Sequence, residues 1–84
     1  MRIIWTRHAS DRQQEWLRLA GITRTEVETI VENPEQVVPG HGNALVAQSR
    51  RGNGLLRVPF AEQAGQRKLI TVYFTTKVDR YWQE

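Results

Sequence analysis

Asn33-Pro34 divides this 84-residue chain into two stretches of different periodicity, and that division limits what it can fold into. Ahead of the pair, apolar residues recur at helical spacing. Beyond it they occur only in short runs between glycine turns, as strands do. The residue before a proline is pushed out of the α region, so a helix that reaches Asn33 ends there.

The first stretch reads as one strand and two helices. Ile3-Ile4-Trp5 is a short strand. A helix follows from Arg7 to Leu19, with Ala9, Trp16, Leu17 and Ala20 on one stripe and Gly21 as its stop. Thr6 and Ser10 are both candidate caps, since Ser10-Asp11-Arg12-Gln13 fits a capping box. Thr6 is preferred because the later start leaves a very short helix. Thr23-Arg24-Thr25-Glu26 is a full capping box for the second helix, and Ile22 and Val27 occupy the two positions of a hydrophobic staple. Val27, Ile30 and Val31 form its buried stripe, while Glu28 and Glu32 face water. The connection through Gly21-Ile22 makes the pair an αα-hairpin.

The second stretch supplies four strands. They are Gln36-Val37-Val38, Ala44 to Ser49, Leu55 to Phe60, and Lys68 to about Thr76, with glycine-bearing turns between them. Short turns make sequential strands antiparallel neighbours. The expectation is a single α+β domain over residues 1–84, in the order β-α-α-β-β-β-β. Its αα-hairpin packs on one face of a twisted antiparallel meander. Pro59 cannot donate to a ladder, so a bulge or a break in pairing is expected near it.

Size and composition narrow the classes further. A chain this short buries only roughly 60% of the surface it exposes when unfolded, so both sheet faces cannot be deeply covered. The absence of cysteine excludes disulfides and thiolate metal sites and fits a reducing cytoplasm. Met-Arg-Ile-Ile-Trp lacks the apolar core of a signal peptide, and no run approaches a membrane span, so a cytoplasmic location is expected. The formal charge of +3 rests on ten arginines and two lysines. Arginine's planar fork matches phosphate better than lysine's ammonium, yet the same excess also suits a solvated surface.

Strand parity then sorts the candidate site residues. Ile70, Val72 and Phe74 form one apolar face of the last strand, leaving Thr71, Tyr73, Thr75 and Lys77 on the other. Leu56, Val58 and Phe60 match the apolar face, which sends Arg57 to the opposite one unless a bulge flips the register. Arg57, Tyr73 and Lys77, with Arg50 or Arg51 at a rim, form a basic-aromatic patch. Such patches bind single-stranded RNA by phosphate pairing and base stacking, and the same pattern suits an ordinary solvated sheet face. His8 lies at the strand-to-helix junction with Arg12 one turn on, and as a histidine it is suited to general acid or base work or to a polar junction role. His41, in Pro39-Gly40-His41-Gly42-Asn43, reads as a turn residue. No metal-ligand spacing, nucleophile elbow or glycine-rich phosphate loop is present, so neither a metal nor a cofactor is expected.

Trp5-Thr6-Arg7-His8-Ala9, Arg12, Gly21-Ile22-Thr23, Val27-Glu28 and Asn33-Pro34-Glu35 resemble a family of small bacterial proteins known only as a domain of unknown function. Leu56-Arg57-Val58 and Ile70-Thr71-Val72-Tyr73 fit the same pattern, and the family looks similar to the RelE/ParE/BrnT-type toxin fold. The resemblance covers nearly the whole chain. It implies a toxin-like, RNA-binding, metal-independent endoribonuclease that a cognate antitoxin protein neutralises. On the matching positions Arg57 and Lys77 stabilise charge developing on phosphorus, Arg80 assists, and His8 or Tyr81 handles protons. Arg12, Arg50, Arg51 and Tyr73 are the expected RNA contacts. The alternative is a noncatalytic module for a protein or nucleic-acid partner, with Trp5, Trp16 or Trp82 as an anchor. In that reading Trp16 belongs to the core and Trp82 is the better interface residue.

Overall fold

The computed structural model describes residues 1–84. Strand β1 (Arg2–Trp5) leads into helices α1 (Arg7–Ala20) and α2 (Arg24–Glu32). Strands β2 (Gln36–Pro39), β3 (Leu45–Arg51), β4 (Gly54–Gln63), β5 (Gln66–Leu69) and β6 (Tyr73–Thr75) follow, then a short helix α3 (Val78–Tyr81). The class is α+β. No helix is long and apolar enough to cross a membrane.

The helix ends obey their local chemistry. Thr6 caps α1, its hydroxyl accepting from the Ala9 N–H at 3.1 Å and donating to the Leu69 carbonyl at 2.8 Å. Gly21 closes that helix in the left-handed region, at φ 69°, which glycine adopts without penalty. Thr23 caps α2 by accepting from the Glu26 N–H. The capping box is only half made, because the Glu26 carboxylate is drawn 2.5 Å from Arg51 instead. Glu28 is not simply solvated either, since it accepts from the Trp5 indole N–H at 2.9 Å.

The sheet order is β1-β5-β4-β3-β2, with β6 also paired to β4. Strands β2 to β5 form the expected antiparallel meander. The sheet is nevertheless mixed, because β1 joins its edge parallel to β5. Short turns dictate direction only between the strands they connect. No turn joins β1 to β5, so that rule never constrained the first strand.

The last expected strand is two strands, and the cause is Pro59. Phe60 pairs with Leu69, and Arg57 pairs with Tyr73. Between those pairs β4 has two residues, Val58 and Pro59, while the facing chain has three, Ile70 to Val72. That extra residue is a bulge. The Pro59 carbonyl accepts from the Ile70 N–H at 2.8 Å, so its absent N–H falls on this same side. The other side keeps an unbroken register with β3 through Val46–Pro59. One extra residue inverts the parity upstream of it. Leu69 is consequently buried with the core, while Ile70, expected there, turns to the other face and is 41% exposed.

Both long helices lie on one sheet face. Ala9, Ile22, Val27, Ile30 and Val31 pack there against Ala47, Leu56, Val58, Phe60, Leu69 and Val72, with Trp16 and Ala20 alongside. Leu17, placed on the buried stripe from its spacing, is instead exposed. The opposite face is not bare, as α3 folds back across part of it.

Candidate functional site

Alternation along β4 sends Leu55, Arg57 and Pro59 away from the helices. Register adds Val46, Gln48 and Arg50 from β3, Gln36 and Val38 from β2, and Tyr73 from β6. An ordinary solvated face would leave these residues wet. Leu55 and Gln48 are instead fully buried, and Arg57 is only 6% exposed. The cover is α3, whose Tyr81 ring lies 3.9 Å from the Arg57 guanidinium carbon.

A line of side-chain amides holds that cover down. Gln48 Nε2 donates to Gln36 Oε1 at 2.8 Å and to the Tyr81 carbonyl at 3.0 Å. Gln36 in turn accepts from the Gln83 N–H and donates to the Gln83 carbonyl. Gln48 Oε1 accepts from Arg57 Nε at 2.8 Å, and Arg57 Nη1 donates to the Tyr73 hydroxyl. Nothing in composition or spacing singled out Gln36 or Gln48. Their one sequence signal is register, since a tight β3–β4 turn puts Gln48 directly opposite Arg57.

Arg57 forms no ion pair. Its neighbours are an amide oxygen, a phenol oxygen and two aromatic rings, and Nη2 makes no hydrogen bond within the protein. Taking a cation out of water without a counter-charge costs several kcal/mol. The guanidinium lies at a concavity of about 830 Å³, lined also by Val38, Val46, Ile70, Tyr73, Arg80 and Tyr81. No aspartate or glutamate lines it.

Tyr73 is shaped by the same burial. Desolvation pushes its phenol above the ordinary value of 10.0; the Arg57 charge pulls it back and the Tyr81 hydroxyl adds to the rise. At neutral pH it is therefore a proton donor and not a base. Its oxygen accepts from Arg57, and hydrogen bonding with the neighbouring Tyr81 hydroxyl also favours the protonated form.

The sequence-derived residues divide between this concavity and the rest of the surface. Arg57, Tyr73, Arg80 and Tyr81 come together in it. Lys77 does not, because the strand stops at Thr75 and Lys77, exposed, sits at the N-cap of α3, so strand parity no longer governs it. His8 is exposed on α1 and Arg12 is paired with Glu15 at 3.6 Å. Both belong to the helix layer, across the sheet from Arg57. Arg51 also turns to the helices, bound to Glu26 and, at 3.0 Å, to the Ala20 carbonyl. Arg50 shares the open face but stacks on Trp82 at 4.3 Å, outside the concavity. The histidine that does line it is His41, an exposed residue of the β2–β3 turn, where its glycine-flanked context puts it. No three histidine, aspartate or glutamate side chains converge to form a metal site.

Residues 5–74 match the family described as "Domain of unknown function (DUF4258)", and the chain belongs to that family. No curated protein and no solved structure matches it.

Proposed function

We propose that this DUF4258 protein is a toxin-like RNA-binding protein, and that single-stranded RNA enters the concavity on the open sheet face. The observation that carries this reading is Arg57: a cationic residue 6% exposed, outside every ion pair, at a concavity without a carboxylate. A phosphate supplies the missing counter-charge, and the unused Nη donors match its oxygens. Arg80 is a second cation on the same lining, and Tyr73 and Tyr81 add aromatic surface of the kind that bases stack on.

Metal-independent strand cleavage is the chemistry these groups suit. Arg57 opposes the charge that builds on phosphorus, and a protonated tyrosine serves the departing 5′-oxygen. Only RNA carries the attacking 2′-hydroxyl, so single-stranded DNA binds uncut. An antitoxin neutralises such a protein by covering the concavity. A noncatalytic protein-binding module is the second reading, favoured by exposed Ile70 beside Pro39 and Pro59 on the apolar wall.

Fluorescence anisotropy with a labelled oligoribonucleotide separates the two. Two phosphate contacts give a log–log salt slope of about −1.4, and Arg57→Ala lowers its magnitude by about 0.7. Absence of binding at low salt, or an Arg57→Ala protein that binds as tightly as the parent, would refute the RNA reading.

A further inference from the structure

Strand cleavage needs a group that takes the proton of the attacking hydroxyl, and the concavity lining narrows the choice to one. Arg57 and Arg80 carry no acceptor. Tyr73 is held protonated by burial, Tyr81 is a second phenol, and there is no carboxylate. His41 remains, the one lining residue whose ring nitrogens can accept a proton.

The loop that carries His41 is built to hold it at the rim. Gly40 N–H donates to the Ala44 carbonyl at 2.9 Å, and Ala44 N–H donates to the His41 carbonyl at 3.1 Å. A Cβ at Gly40 would stand 3.1 Å from both the Ala44 oxygen and Val46 Cγ2, so glycine lets the loop close against a residue of the concavity wall. Gly42, at φ 64°, takes the left-handed turn that follows. The His41 imidazole makes no hydrogen bond and no ion pair with the protein, which leaves both ring nitrogens free for a ligand. The charged and titratable groups facing the same space are Arg57 on β4, Tyr73 on β6, and Arg80 and Tyr81 on α3.

We propose that His41 is the general base of RNA strand cleavage in this concavity, with single-stranded RNA bearing a free 2′-hydroxyl as its substrate class. The proposal rests on the RNA reading above. His41 takes the 2′-hydroxyl proton as the O2′–P bond forms. The P–O5′ bond breaks with its electron pair, and the Tyr73 hydroxyl protonates the leaving O5′. The products are a 2′,3′-cyclic phosphate and a 5′-hydroxyl end. Imidazolium and phenolate return to their starting forms by proton exchange with water.

The test uses the full chain in excess over a 5′-labelled oligoribonucleotide, with a chelator present, and a parallel binding measurement on the uncleavable 2′-O-methyl oligomer. The parent protein should yield cyclic-phosphate ends. His41→Gly should cleave roughly 10²–10⁴-fold more slowly, and added imidazole should restore part of the rate. A merely structural role for the loop would not respond to imidazole. Cleavage by His41→Gly within about threefold of the parent overturns the assignment, because a general base contributes far more. A parent that binds the 2′-O-methyl oligomer but leaves RNA intact also overturns it, while RNA binding itself stands. A parent that binds neither oligomer removes the RNA reading and this proposal together.

Discussion

Gln48→Leu measures how much of the open face depends on pairing Arg57. The side chain is fully buried and makes three hydrogen bonds: to Arg57 Nε at 2.8 Å, to Gln36 Oε1 at 2.8 Å and to the Tyr81 carbonyl at 3.0 Å. Leucine fills similar volume and makes none of them. The bond to the guanidinium is worth about 1.5–3 kcal/mol and each neutral one about 0.5–1.5 kcal/mol. The substitution also leaves Nε of a buried cation with no acceptor, so the expected loss is roughly 3–5 kcal/mol. A domain of this length holds roughly 4–13 kcal/mol in all. The thermal midpoint should therefore fall by about 15–30 °C. Replacing the cation as well, with Arg57→Met in the Gln48→Leu background, removes the unpaired charge and should return at least about 1.5 kcal/mol. Urea unfolding of the parent, both single variants and the double variant, followed by far-ultraviolet circular dichroism, closes the cycle. A Gln48→Leu cost below about 1 kcal/mol would refute the reasoning, as would a further loss when Arg57→Met is added.

Three other outcomes follow from the fold. Leu69→Ala should cost about 2–5 kcal/mol and Ile70→Ala much less, because the bulge buries the first and exposes the second; equal costs in urea unfolding would contradict the register. Gly54→Ala should destabilise by about 1–3 kcal/mol or more, since its Cβ would overlap the Thr75 carbonyl and the Phe74 ring edge, and a neutral effect would refute that packing. The Tyr73 phenol is raised, so the unfolded chain releases its proton first as pH climbs. Its contribution is fully present below about pH 10 and is lost above it. Tyr73→Phe should then lose less stability than the parent between neutral pH and that alkaline range, and an equal or greater loss in unfolding titrations would contradict the shift.

Local signals carried most of the fold into the sequence. Thr6, Thr23, Gly21 and Pro34 act through their own backbone neighbourhood, and the helices begin and end where those residues put them. Pro59 announced a break in the ladder for the same reason, its missing donor. What escaped was non-local. Whether the break would be an insertion, and on which strand, depends on the partner across the ladder. The fate of Ile70 and Leu69 could not be read from alternation. The parallel seating of β1 is likewise decided between segments over sixty residues apart, with no turn to set its direction.

The candidate site divides along the same line. Arg57 and Tyr73 were found by parity because both lie on strands whose register holds. Lys77 lies past the end of β6, where strand parity no longer applies. Gln48 and Gln36 were missed since a buried glutamine between strands looks, in sequence, like any polar residue on a wet face. His41 is the turn residue its glycine neighbours predict, and Gly40 lets that turn approach Val46 at the concavity wall.

A structural account of Arg57 alone must explain why a guanidinium fills a place where methionine or leucine would pack against Leu55 and Tyr81 without a desolvation cost. The amide oxygen of Gln48 and the phenol of Tyr73 satisfy two of its donors but leave its charge uncancelled. Had the role been to fasten α3, an aspartate at position 48 or 36 would have done so with a counter-charge in place. Neutral amides tether the helix instead, and the net positive charge remains at the concavity. An arrangement of that kind gains stability when an anion arrives. A phosphate-bearing ligand at a hundred times its dissociation constant adds about 2.7 kcal/mol. The parent protein should therefore gain thermal stability from oligoribonucleotide, and Arg57→Met should not. Equal gains in both proteins would mean that Arg57 serves the fold alone.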